Sequence, residues 1–270
     1  MRKIKVGIIG CGTIGSALAN FVVRHFSDAA TLSFIAENHS EKVTKLWHAL
    51  GQMIPNVSVS KLIQGSDLVI EAATASISAQ VAKEALQQHK QVLILSVGGL
   101  LESKGWKNAL RRSHGRLWIP SGAIAGIDGL VAAKEAGISR VKIITKKPPA
   151  GLKEAPYFWK RKFPELRGTK AYCVFRGSAD EAVRGFPQNV NVAATLSLAG
   201  IGSQKTQVEI WTSRSYKTNQ HEILIEGKSG RIRITTQNVP APGNPKTSAL
   251  ALYSAIAVIR RIISTVRIGT

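Results

Sequence analysis

Through the first half of the chain, short runs of apolar residues alternate with stretches of helical periodicity. Ile4–Ile9 reads as a buried strand, followed by a glycine-rich turn and a helix over 16–25. Further strands are expected at 32–36, 67–72, 91–96 and 116–119, and further helices at 40–51, 76–88 and 101–113. The strand runs, such as Asp-Leu-Val-Ile-Glu-Ala at 67–72, are apolar at successive positions rather than at alternate ones. That pattern marks strands covered on both faces, and its alternation with helices predicts βαβ units around a parallel sheet.

After Pro120 the pattern changes. Residues 122–137 are rich in Gly and Ala and read as a loop entering a helix. Strands are expected at 141–145, 172–177, 207–212, 221–226 and 230–236, now with polar residues at alternate positions. Alternation of that kind belongs to a mixed or antiparallel sheet with one wet face. A helix is expected over 189–198, a loop or insertion over 151–168, and a last helix over 245–263 with Asn244 as its cap. The predicted fold is α/β: a Rossmann-type parallel-sheet domain (1–122), then a smaller α+β domain (123–243) for substrate and dimerisation. The terminal segment 244–270 is expected to return to the first domain.

Composition narrows the class. The 270 residues are 44% apolar and 20% charged, ordinary values for a folded globular chain. The longest apolar stretch, 249–259, runs into Arg260 and Arg261 and is far short of the ~20 residues that cross a bilayer. The first residues carry neither the apolar run nor the cleavage site of a signal peptide, and Cys11 and Cys173 make neither a disulfide framework nor a zinc site. A cytoplasmic protein without a membrane or a metal is expected. The formal charge of +21 is high enough for a nucleic-acid binder. The basic residues are scattered, however, apart from a dense region at 142–170, and no basic–aromatic repeat accompanies them. A field of this sign also draws in anionic cofactors and carboxylates.

Gly10-Cys11-Gly12-Thr13-Ile14-Gly15 lies between the first strand and the first helix. In that context Gly-x-Gly-x-x-Gly is a dinucleotide fingerprint. Gly10 permits the tight turn, Gly12 lets backbone approach a pyrophosphate, and Gly15 allows helix and strand to pack closely. The helix N-terminus that begins with Thr13 and Ile14 offers amide donors to the anion. Cys11 reads as a small residue that fits. An acidic residue at the end of the second strand would hold the ribose of NAD, and Glu37 stands there. Asn38, His39, Ser40 and Lys42 beside it could instead accept the phosphate of NADP, so both cofactors remain open.

The substrate must be read from the second half. Three segments there are distinctive: 119–128 (Ile-Pro-Ser-Gly-Ala-Ile-Ala-Gly-Ile-Asp), 186–200 (beginning Phe-Pro-Gln-Asn-Val-Asn-Val-Ala-Ala) and 219–223 (Asn-Gln-His-Glu-Ile). A fourth is Asn-Val-Pro at 238–240 followed by Asn-Pro-Lys-Thr-Ser at 244–248. In this order and spacing the chain resembles the L-aspartate dehydrogenase family over nearly its whole length.

The resemblance implies oxidation of L-aspartate with NAD or NADP to iminoaspartate, which hydrolyses to oxaloacetate and ammonia, by a two-domain enzyme that commonly forms homodimers. It puts the family's catalytic histidine at His221 and its cofactor-contacting alanine and asparagine at Ala123 and Asn191. The residues themselves allow these roles. Ser121-Gly122-Ala123 follows the last strand of the nucleotide sheet, where small side chains leave room for a nicotinamide. Asn189 suits a helix cap or a substrate contact, and Asn191 a ligand. His221 opens an alternating strand, and an imidazole of near-neutral pKa there could take the ammonium proton or activate water. Lys146, beside Lys147 in a Lys-Lys-Pro-Pro turn, and Lys246 could attract a dicarboxylate. Where many relatives carry Asp-Pro ahead of the histidine, this chain has Ser213-Arg214. Two other readings stay open: a two-domain reductase of the dihydrodipicolinate-reductase or homoserine-dehydrogenase type, and a non-catalytic dinucleotide-sensing nucleic-acid binder.

Overall fold

A computed structural model describes residues 2–103, 105–187, 191–241, 244–266 and 268–269, apart from the side chains of Pro245 and Lys246. The chain divides into two units. One holds residues 1–120 with 255–267, and the other 121–254 with 268–270.

The first unit runs β1 (Ile4–Ile9), α1 (Thr13–His25), β2 (Ala30–Ala36), α2 (Ser40–Leu50), α3 (Val59–Gly65), β3 (Leu68–Glu71), α4 (Ala75–Gln87), β4 (Gln91–Ile94), α5 (Gly99–Glu102), α6 (Gly105–Arg111) and β5 (Arg116–Trp118). Its five strands pair in parallel in the order β2-β1-β3-β4-β5. The unbroken apolar runs have the burial they imply: all four residues of β3 are buried, as are the last four of β1. α1 turns Gly15, Leu18, Ala19 and Val22 to the core at helical spacing. The helix expected at 101–113 is instead two, because Ser103 is extended between α5 and α6. The buried indole of Trp106 donates to the Leu100 carbonyl (2.9 Å) and joins the pieces.

The second unit runs α7 (Ile127–Ala136), β6 (Ile138–Lys147), β7 (Tyr172–Ser178), α8 (Ala179–Gly185), α9 (Asn191–Ala199), β8 (Gln207–Thr212), β9 (Asn219–Gly227), β10 (Gly230–Asn238), β11 (Pro240–Ala241) and β12 (Asn244–Ser248). Its mixed five-stranded sheet has the order β10-β9-β6-β8-β7, with β6 parallel to β8 and antiparallel to β9. One face is apolar and buried, with Val141 and Ile143 of β6, Ile223 and Ile225 of β9, and Val208 and Ile210 of β8. The other face is partly wet and carries ion pairs, among them Lys142 to Glu209 at 2.9 Å.

Between β6 and β7 the chain makes two 3-10 turns, Pro149–Gly151 and Pro156–Phe158. Aromatic contacts anchor this insertion: Tyr157 stacks on the fully buried Phe186 with ring centroids 5.0 Å apart. Ser213 is also fully buried and donates to the Thr169 carbonyl at 2.8 Å, so the hydroxyl at the Asp-Pro position ties down the end of the insertion.

The last helix, α10 (Ala249–Ile263), starts later than expected. Asn244 and Pro245 do not cap it; they begin β12, which pairs with β11. The Ala249 amide then bonds the Val239 carbonyl (2.9 Å), so the ladder uses the backbone groups that a longer helix would have claimed. Within the first unit the Arg260 guanidinium of α10 lies 5.1 Å from the centre of the Phe26 ring.

Candidate active site

In the first unit the glycine loop joins β1 to α1. Gly10 has φ +90°, a conformation that side chains disfavour, and a Cβ on Gly15 would overlap the Gly10 carbonyl oxygen. Those two glycines are required by the fold. Gly12 is not: its φ is −73°, and a Cβ there would meet nothing within 4 Å. The protein leaves open the space over Gly12 that a pyrophosphate needs, so the loop fits a dinucleotide. Thr13 and Ile14 open the first turn of α1, and Gly12 stands at its N-cap.

Glu37 follows β2 and closes on the same loop. Its Oε2 accepts from the Cys11 amide at 2.8 Å and its Oε1 from the His39 amide at 3.1 Å. Partial burial opposes ionisation, but these donors and the charge of Lys42 outweigh it and hold the carboxyl below its ordinary range. The carboxylate is therefore an anion beside the fingerprint, suited to a ribose diol and opposed to a second phosphate. Burial, reinforced by Glu37, raises the Cys11 thiol to about 11, which keeps it protonated and unreactive.

The second unit gathers a polar cluster on the otherwise apolar face of its sheet. His221, 3% exposed, pairs across the ladder with Thr145 on one side and Thr236 on the other. Its Nδ1 lies 3.0 Å from Thr145 Oγ1. Lys147, two residues beyond Thr145, points to the same face and is 7% exposed. Thr212, opposite Lys147 on β8, donates its hydroxyl to the Lys147 carbonyl at 2.9 Å. Asn238 Nδ2 and Thr236 Oγ1 both donate to the Ala123 carbonyl, at 2.9 and 3.2 Å, which fixes the 121–123 segment over the end of the sheet. The Gly122 amide donates to Ser254 Oγ (3.1 Å), and an added Cβ at Gly122 would touch Val192 at the start of α9. Ala123, His221 and the α9 terminus that begins with Asn191 thus belong to one unit and one end of its sheet.

The charge states depart from the sequence expectation. The imidazole of His221 is not near neutral pKa: burial, and then the Lys147 cation, lower it to about 3. It is neutral throughout the physiological range. Lys147 is itself lowered to about 8 by burial. Lys146 sits on the opposite face of β6 from His221, because strand side chains alternate. Asn189 lies outside the described residues, and only the backbone of Lys246 is described, in β12. Lys147, rather than its neighbour, is the lysine of the cluster; the signal was the period of two from Thr145. A cleft of about 30 Å³ is lined in part by Pro148, Lys217, Asn219 and, from the polar cluster, Asn238.

Among the described residues no group of three or more His, Cys, Asp or Glu could hold a metal, and no helix is long and apolar enough to cross a membrane.

Two family models match the chain. The aspartate dehydrogenase C-terminal family covers residues 128–262, and the NAD-binding domain of homoserine dehydrogenase covers 10–115. The chain is 40% identical to an L-aspartate dehydrogenase of Methanosarcina acetivorans over 99% of its own length and 100% of the relative's. It is 35% identical to L-aspartate dehydrogenase 3 of Bordetella bronchiseptica over 100% and 98% of the two lengths. The crystal structure of aspartate dehydrogenase from Thermotoga maritima superposes with a TM-score of 0.77 at 24% identity, covering 99% of this chain and 100% of that one, and so shares the fold. A chain that pairs this fingerprint with this histidine-bearing sheet, and matches such relatives end to end, belongs to the L-aspartate dehydrogenase family.

Proposed function

We infer that this protein oxidises L-aspartate to iminoaspartate with NAD or NADP, the imine then hydrolysing to oxaloacetate and ammonia. The observation that carries this reading is the cluster of His221, Thr145, Lys147 and the Ala123 carbonyl on one sheet face, in a chain 40% identical over its length to an L-aspartate dehydrogenase. A bound nicotinamide would supply the acceptor for the two electrons that leave the substrate α-carbon.

The chain's own residues hold and orient. Gly10, Gly12 and Gly15, with the α1 amides at Thr13 and Ile14, would receive the pyrophosphate, and Glu37 would hold the ribose. Ala123 and Asn191 would contact the nicotinamide. His221 stays neutral, so it positions the substrate or the hydrolytic water through hydrogen bonds without repelling an ammonium group. Thr145, at Nδ1, orients the ring so that Nε2 is left for that contact. The excess of basic residues favours capture of a dicarboxylate. Lys246, in β12, and Asn189 are the remaining candidates for its carboxylates.

The protein is assigned to the cytoplasm and to a homodimer, with the partly wet face of the second sheet, where Ile144, Trp211 and Leu224 are only half-buried, as its contact surface. Incubation with L-aspartate and either cofactor should yield reduced cofactor, ammonia and oxaloacetate in equal amounts. Reduced cofactor without ammonia would rule out the amine oxidation.

A further inference from the structure

Resting on the aspartate-oxidising reading and on Glu37 as its ribose contact, we propose that Asn56 is a positioning residue. It clamps Glu37 for the ribose diol of NAD and so sets the cofactor preference to NAD over NADP.

Asn56 closes on both backbone groups of Glu37. Its Oδ1 accepts from the Glu37 amide and its Nδ2 donates to the Glu37 carbonyl, each at 3.0 Å. The arrangement continues a strand pairing. β2 is an edge of the first sheet, and on the side away from β1 its Ile35 pairs in parallel with Asn56. There the Ile35 amide donates to the Pro55 carbonyl (3.0 Å) and the Val57 amide to the Ile35 carbonyl (2.9 Å). Two residues on, the backbone groups of Glu37 face the same edge, and the Asn56 side chain answers them in place of a main chain. The segment that carries Asn56 is itself anchored. The Trp47 indole of α2 donates to the Ile54 carbonyl at 2.9 Å, and the Ser58 side chain caps α3.

A fixed backbone fixes the carboxylate. Its two oxygens hold the Cys11 and His39 amides, one each, so the side chain lies against the glycine loop. A carboxylate has about four acceptor sites, which leaves each oxygen one for a ribose hydroxyl. A free diol can donate to both. A 2′-phosphate brings like charge instead, and swinging the carboxylate aside would break the amide bonds and work against the clamp. Lys42 is the cation beside Glu37, and its charge acts on both Glu37 and Cys11. The clamped carboxylate matches that charge; without Glu37, Lys42 becomes a partner for a phosphate.

A double-mutant cycle read by dinucleotide binding separates this role from a general structural one. Wild type, Asn56→Ala, Glu37→Ala and the double variant are titrated with NADH and with NADPH, without substrate, by the fluorescence of the reduced nicotinamide. Wild type should bind NADH ~100-fold more tightly than NADPH. Asn56→Ala should lower that ratio about 10-fold, the worth of one charge-assisted hydrogen bond, chiefly by weakening NADH. Glu37→Ala should bring the ratio to one or below. In the Glu37→Ala background, Asn56→Ala should then change the ratio by less than about twofold. In turnover, Asn56→Ala should raise KM for NAD and leave kcat at saturating NAD within about twofold of wild type. In the unliganded protein, hydrogen exchange at the Cys11 amide should quicken in Asn56→Ala, because its acceptor is no longer held in place. An unaltered ratio in Asn56→Ala, an equal effect with and without Glu37, or unchanged protection of Cys11 would overturn the clamp and leave aspartate oxidation standing. A wild type that binds NADPH as tightly as NADH would overturn the preference. Dinucleotide binding as expected, with no turnover of L-aspartate, would overturn the functional reading alone.

Discussion

Gly12 shows how one residue can report a ligand. Its backbone angles suit any amino acid and its surroundings are empty, so nothing in the polypeptide demands glycine. Gly12→Val should therefore fold and melt as wild type while its side chain fills the cradle. Dinucleotide affinity should fall at least ~100-fold by direct titration; an unchanged titration curve would remove the loop from the cofactor site. His221 has a different signature. Its pKa is lowered from 6.5 to about 3 on folding, so between those values the unfolded chain binds the extra proton. Its contribution to stability is complete above pH 6.5 and is lost as pH falls towards 3, by up to about 1.4 kcal/mol per pH unit. Denaturant midpoints measured across that window should fall more steeply for wild type than for His221→Gln. Parallel curves would place His221 in contact with solvent.

Elements were legible where one periodicity governed them. β1 and β8 lie where the pattern predicts, because a covered parallel strand and a half-wet strand leave different traces. α8 was overlooked although Ser178 and Glu181 spell a capping box, with the Ser178 hydroxyl accepting from the Glu181 amide and the Glu181 carboxylate from the Ser178 amide. The start of α10 was misread because Asn-Pro is also compatible with a strand when a partner is available, and β11 supplies one. Tertiary pairing of that kind leaves no local trace. The same holds for Glu71, the polar end of an apolar run. It is fully buried at the end of β3 and accepts from the Ala73 amide (2.8 Å), the Ser96 amide (3.0 Å) and the Ser96 hydroxyl (2.9 Å). Burial raises its pKa in spite of those donors. Glu71→Leu strands two amides and should destabilise the first unit by about 2–5 kcal/mol. Thermal melts should show a fall of at least ~5 °C; an unshifted Tm would mean that the amides find other acceptors.

At the scale of the whole molecule, each unit carries its own polar group of residues. The first holds an open glycine loop with the Glu37 carboxylate beside it; the second holds a neutral imidazole, a buried lysine and a fixed carbonyl on one sheet face. The glycine fingerprint could be found in sequence because it stands between a strand and a helix, whereas His221, inside an alternating strand, was singled out by the family resemblance. The charge states could not, because they depend on burial and on a lysine 74 positions away along the chain. The excess positive charge suits a dicarboxylate, and residues 10–115 match the NAD-binding domain of homoserine dehydrogenase, so specificity is the central claim. Its most direct measurement is kcat/KM for L-aspartate, D-aspartate, L-glutamate and L-homoserine, with NAD and NADP in parallel. The account predicts that L-aspartate exceeds each of the others by at least ~100-fold with the preferred cofactor. Turnover of L-homoserine with none of L-aspartate would contradict it.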